Sequence, residues 1–363
     1  MASGTFNRMP ISSLEFPRFQ QVGAGLFLLG VFATFFGLGW DVQWHSDVGP
    51  DTFWTLPHTI LYFGAALSGF ACLSVVLLST FASRETRKLP GMIPILGGLF
   101  YAPIGFFVGG FGAAGFLLFG LFDQYWHGLF GFDVTISSPP HMGLIFSYIM
   151  AVSGCVLVFI RGRETKTLAF VVATALALGF TLPFLQMNFS DFGLDILLFL
   201  FPAIFLTFGM LFVASATRQP WMLFVMTLFF AAFRYLCWFV FPVITSGYAN
   251  ALGLALRDQP SGIPTIPYLM PMLLPLAGLI ASGVLLFAKS RAWRVIPSVL
   301  LAGAVAAPVM YVDLLLMQFV QSFPVGLIGV ALLGAIGAWF GWQLGVVARH
   351  ANRDLEQVQR GHA

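Results

Sequence analysis

Six side chains in this chain of 363 residues combine chemistry-bearing types with a repeated spacing. Asp41, His45 and His58 form one set, and Asp123, His127 and His141 form the other. Both sets lie in stretches that read D-x-x-W-H-x-x-x-G-x-D and then Pro-His, spanning Asp41 to His58 and Asp123 to His141. Two imidazoles and a carboxylate with coordination positions left open are a recognised transition-metal set. By ligand type alone, copper, iron and zinc all suit it. Bis-histidine haem fits less well, because haem ligation does not call for an Asp on the same face as each His.

The local sequence explains how each set converges. Asp41 and His45 stand four residues apart, as do Asp123 and His127, and so share one face of a helix. Pro57 suits the first turn of the next helix, where its missing N–H is no loss. That puts His58 in the opening turn, and a folded-back loop brings it toward Asp41. Pro139, Pro140 and His141 repeat the arrangement, with Ser138 as the expected helix cap. Asp51 and Asp133 are expected to orient a histidine through its other ring nitrogen. Their plainer reading is helix capping or loop solvation. A single Asp or His at a membrane boundary is ordinarily just an interfacial polar group. The recurrence of ligand types in both sets is what points to metal.

The two stretches are offset by 82 residues through Gly49 and Gly131, and by 83 at Pro-His. Arg84-Glu85-Thr86 and Arg163-Glu164-Thr165 also correspond. An internal duplication accounts for this, with the copies related by an axis near the membrane normal.

Lipid must surround the elements that carry these residues. Only 9% of the chain is charged, against 59% hydrophobic, with 42 Phe. A water-soluble domain averages about 25% charged residues. The expected fold is all-α: a polytopic helical bundle of about ten spans, of about 20 apolar residues each. We read them at 22–42, 58–81, 99–122, 141–160, 167–187, 195–216, 221–242, 268–288, 295–320 and 325–347. Pro94, Pro103 and nearby glycines predict an irregular entry to the third. The N-terminal stretch is too polar for a signal peptide, so the first apolar segment is expected to be retained. Cys72, Cys155 and Cys237 lie in apolar runs without a CxxC, which excludes a disulfide framework or zinc knuckle. The units expected are 1–21, a duplicated four-helix metal-binding unit at 22–166, a six-helix unit at 167–348 and a tail at 349–363.

With both termini cytoplasmic, 15 of the 17 Lys and Arg fall on the inner side. This satisfies the positive-inside rule. The reading is therefore an inner-membrane protein with its Asp/His sets on the extracytoplasmic side, lipid as its first partner, and no nucleic-acid role. The exceptions are Arg257, outside, and Arg234, within a span. Arg234 and Asp313 both fall inside spans, where charges are costly and usually paired. We expect them to pair with each other. The outer segment 243–267 is read as a connector that holds a short interfacial helix.

On these residues the first four spans, about 20–165, resemble the C subunit of the copper membrane monooxygenases, the particulate methane and ammonia monooxygenase family. Asp41, His45 and His58 match that family's Asp-x3-His-x12-His copper motif. Asp123, His127 and His141 match the spacing of its Asn-x3-His-x13-His motif, with Asp in place of Asn. The resemblance implies copper at these residues, O2-dependent oxidation of a small apolar substrate, and work alongside other membrane subunits or copies. The family subunit is shorter, and the six spans after residue 166 have no counterpart in it. Two other readings stand beside this one: a non-enzymatic metal transporter or copper-loading protein, and a structural subunit of a membrane redox complex.

Overall fold

The computed structural model describes residues 17–49, 52–85, 92–131, 138–161, 167–191, 197–257, 271–316 and 324–361. Among these there are ten α-helices: α1 (Arg18–Asp47), α2 (Leu56–Glu85), α3 (Ile104–Phe130), α4 (Pro139–Arg161), α5 (Thr167–Asp191), α6 (Leu197–Thr217), α7 (Met222–Ala251), α8 (Leu274–Ser290), α9 (Val295–Leu316) and α10 (Pro324–Gly361). A small antiparallel hairpin, β1 (Ile93–Ile95) and β2 (Phe100–Ala102), precedes α3.

Nine of the ten are long and apolar enough to cross a membrane. The molecule is an all-α membrane bundle that contacts the lipid bilayer. Helix length decides where the polar residues fall. The 30 residues of α1 and of α2 rise about 45 Å each, well beyond a hydrocarbon core about 30 Å thick. Their ends therefore project into the interface, and Asp41 and His45 ride on the last turns of α1. The eighth expected span is the exception. It is realised as the 17 residues of α8, about 25 Å long, because Pro271 and a turn at Met272–Leu273 delay its start.

Two expectations shift. The third span begins at Ile104 rather than 99 because the Pro94–Pro103 stretch folds as the hairpin, held by Thr80 Oγ1, which accepts the Tyr101 N–H at 3.0 Å. The first part of the segment after 242 is not a connector but helix, and its residues 258–267 lie outside the described residues. Helix α7 passes through Pro242 and continues to Ala251.

Helices α1 and α2 pack antiparallel, as do α3 and α4. Both contacts depend on absent side chains. A Cβ on Gly64 would lie 2.4 Å from the Thr34 backbone nitrogen, and one on Gly154 would lie 2.4 Å from that of Gly109. Without a hydrophobic drive between helices in lipid, close backbone approach of this kind is the main source of association. Helix α7 crosses behind α1 and joins this half to α5 and α6; α10 lies along α6, and α8 and α9 fill the remaining side.

Candidate metal centre

The C-terminal turns of α1 and the first turn of α2 carry the first set. Helix α2 starts at Leu56, so Pro57 occupies its second position and His58 its third. Thr55 precedes it, and its carbonyl accepts the Thr59 N–H at 2.9 Å. Asp41 Oδ1 lies 3.6 Å from His45 Nε2 and 3.1 Å from His58 Nε2. The second set repeats this at the end of α3 and the start of α4. Asp123 Oδ2 is 3.2 Å from His127 Nε2 and 3.6 Å from His141 Nε2. In each set the three ligand atoms lie within 4.8 Å of one another. Two ligands bound about 2.1 Å from one ion sit roughly 3.0–3.4 Å apart, so either set needs only a small contraction to hold one. Side-chain exposures are 13%, 24% and 19% for Asp41, His45 and His58, and 11%, 10% and 23% for Asp123, His127 and His141. An ion can reach both groups, and bulk water is largely kept out.

The far sides of the rings matter as much. His58 Nδ1 is 3.2 Å from the Thr52 carbonyl, and His127 Nδ1 is 3.0 Å from the Gly131 carbonyl. A carbonyl only accepts, so each Nδ1 carries the proton. In the neutral ring Nε2 is then a lone pair aimed at a carboxylate oxygen about 3 Å away, an arrangement that needs positive charge between the two. A ring proton relieves one such contact. A metal ion relieves all of them in a group at once. His141 Nδ1 lies 2.9 Å from Ser138 Oγ, which also accepts the His141 N–H at 3.4 Å, so Ser138 both caps α4 and fixes the ring. The remaining Asp123 oxygen, Oδ1, is buried without a hydrogen bond among the described residues, a state that costs about 1–3 kcal/mol and that a bound cation offsets.

Sequence reasoning placed the ring-orienting role on Asp51 and Asp133, which lie outside the described residues. The orienting groups that the structure places at the rings are two backbone carbonyls and one hydroxyl. Their positions depend on the turns: Gly131 stands at φ 90° just after α3, where a side chain would be strained. Tyr62 was also missed. Its ring lies 6.0 Å from that of His58, tilted by 47°, and a Cβ on Gly120 would lie 2.4 Å from its Cε1. It thus forms a wall between the two groups.

Among the described residues, helix α7 braces the first group. The Tyr248 hydroxyl accepts the Leu56 N–H at 3.3 Å, and its ring lies 5.1 Å from that of Trp44, which is 1% exposed. Beyond α7, the Arg257 N–H reaches the Asp47 carbonyl at 2.8 Å. Around the second group, Tyr125, Leu129 and Phe130 are exposed.

Arg234 and Asp313 are both buried. The Leu273 N–H donates to Asp313 Oδ2 at 3.0 Å, and the Arg234 guanidinium lies 5.1 Å from the Trp238 ring centre. Cys72, Cys155 and Cys237 are free thiols in the core.

No family model matches the chain, and no curated protein or solved structure matches it. What the protein does must therefore be argued from these two groups of side chains.

Proposed function

We propose that the protein is a membrane metalloprotein that holds a transition-metal ion at the Asp41/His45/His58 group and another at the Asp123/His127/His141 group. The observation that carries this is the double use of the rings. His58 and His127 each spend Nδ1 on a backbone carbonyl, so that Nε2 faces the shared carboxylate. Held this way, the rings lose little freedom on binding and can accept an ion with only a small contraction.

The metal we assign is copper, on the resemblance of the two spacings to the copper membrane monooxygenases. The activity we assign is oxidation of a small apolar substrate with O2. Bound copper would supply the one-electron chemistry that O2 requires. The chain's own part is to fix three ligands and leave positions open. It also keeps the site poor in water and sets it at the edge of the membrane, where apolar molecules concentrate. A transporter or metal-loading protein would need ligand groups leading onward from the mouth. Among the described residues only these two groups of three or more His, Cys, Asp or Glu converge, which favours resident ions.

The test is the metal content of the full-length protein purified from copper-supplemented cells. The wild type should carry close to two copper ions per chain. His45→Ala/His58→Ala and His127→Ala/His141→Ala should each lose one. Unchanged metal in both double variants would overturn the site assignment. Copper bound in the wild type without substrate-dependent O2 uptake, with and without co-purifying subunits, would refute the oxidase reading and leave the metal sites standing.

A further inference from the structure

At the end of the bundle opposite the Asp/His groups, the connections between α6 and α7 and between α8 and α9 meet the side of α10 around a cavity of about 540 Å³. Its distance from the first group follows from α7. Pro220 lines the cavity just before that helix, and Tyr248 touches Trp44 near its far end. Twenty-eight residues of mostly helical rise separate the two, about 42 Å. The cavity therefore plays no part in the metal chemistry.

Its lining is chemically one-sided. Arg218, Lys289, Arg349 and His350 contribute to it, and among the described residues no carboxylate does. Arg218 and Lys289 have no ion-pair partner among the described residues. Arg349 is held in place: its guanidinium donates to the Ser215 hydroxyl at 2.6 Å and also to the Ser215 carbonyl, and its Cζ lies 5.9 Å from the Trp342 ring centre. Two of the three described non-glycine residues with left-handed φ, Arg218 at 58° and Ala292 at 53°, sit on its rim. Such conformations cost free energy and concentrate at ligand sites. The α6–α7 turn is tied down from the other side, where Ser282 Oγ donates to the Pro220 carbonyl at 3.1 Å.

We infer that this cavity binds the phosphate headgroup of an anionic phospholipid. A free phosphate would answer the charge but not the surroundings. The cavity lies where α6 and α8 end and α7 and α9 begin, the level of lipid headgroups. Trp293 stands half-exposed on its rim against Phe287, itself half-exposed. Tryptophan at such a level marks the interface. The neighbouring Leu286, Val295 and Ile296 turn apolar surface outward, where acyl chains would lie. Basic pockets between helices at the interface take anionic headgroups. The positive-inside distribution assigns this end to the cytoplasmic leaflet, which carries them.

The experiment uses delipidated full-length protein in a zwitterionic detergent, titrated with phosphatidylglycerol, with phosphatidylcholine of the same chains, and with inorganic phosphate. The readouts are native mass spectrometry and quenching of tryptophan by brominated chains. Phosphatidylglycerol should bind at least ten-fold more tightly than phosphatidylcholine. Arg218→Gln/Lys289→Gln should remove most of that preference, and Arg218→Lys/Lys289→Arg should retain it, with metal content unchanged in both. Equal binding of the two lipids would overturn the inference, as would an undiminished preference in the Gln variant. Competition by phosphate as effective as that by lipid would show a soluble-anion site and overturn the lipid assignment. If the Gln variant fails to fold, the wild-type comparison of the three ligands still decides.

Discussion

The two Asp/His/His groups share their ligand types and their local geometry, yet differ in what stands behind them. The first is built into the molecule: α7 crosses behind it, Tyr248 holds the first turn of α2, Trp44 is fully covered, and the Arg257 N–H reaches the Asp47 carbonyl at the end of α1. Among the described residues, the ligands and ring-orienting groups of the second come from α3, α4 and the residues that flank them. On its outer side Tyr125, Leu129 and Phe130 are 63%, 58% and 58% exposed. Its ring orientation depends on short-range partners, Gly131 and Ser138, each within four residues of the histidine it holds. A coordination set can therefore be specified within one helix–turn–helix, and its rigidity is supplied separately by whatever packs against it. The first group is preorganised by tertiary contacts, whereas the second is supported locally.

Opening each helix pair in turn gives the largest expected effect. Gly64→Leu and Gly154→Leu drive side chains into the facing backbone, where a Cβ already falls at 2.4 Å. Each should cost about 3 kcal/mol and remove the ion of its own pair while sparing the other, as read by metal-to-protein ratio and thermal unfolding. Retention of both ions in either variant would mean that the groups do not depend on close helix approach. The carboxylates come next. Asp41→Asn should weaken the first ion by about 100-fold, and Asp123→Asn the second by only about 10-fold, since Asn at that place reproduces the spacing motif that the chain resembles. Competition with a chelator measures both, and equal losses would remove that distinction. The smallest and most discriminating pair is Tyr248→Phe and Ser138→Ala. Losing the tertiary prop should weaken only the first ion, and losing the local one only the second, each by roughly 10-fold. If Tyr248→Phe affects both ions equally, the first group is not specially braced.

Much of the site was legible because its decisive relations are short-range. Asp41 with His45, and Asp123 with His127, are set by helical periodicity alone, and Pro57 and Pro140 mark the helix starts that deliver His58 and His141. The spans were legible from apolar length. The boundary of α3 was not, because hydropathy does not distinguish the hairpin at Ile93–Ala102 from the start of a helix. Nor was the depth of α7, since Pro242 is accommodated within the helix in an apolar setting. Thr52 and Gly131 act through backbone carbonyls, which every residue has, so no side-chain pattern announces them. Tyr62 and Tyr248 read as ordinary aromatic residues until their neighbours are known.

By itself the sequence determined that the chain is a many-helix membrane protein and that two sets of metal-ligand types recur at helix ends, because both follow from composition and from spacings of about one helical turn or one loop. Only the tertiary structure decided which group is braced and where Arg218, Lys289 and Arg349 converge. The physical reason is that in lipid the helix face turned to solvent and the face turned to another helix are made of the same apolar residues. Periodicity therefore carries little trace of which helices meet, and only the packed bundle specifies it.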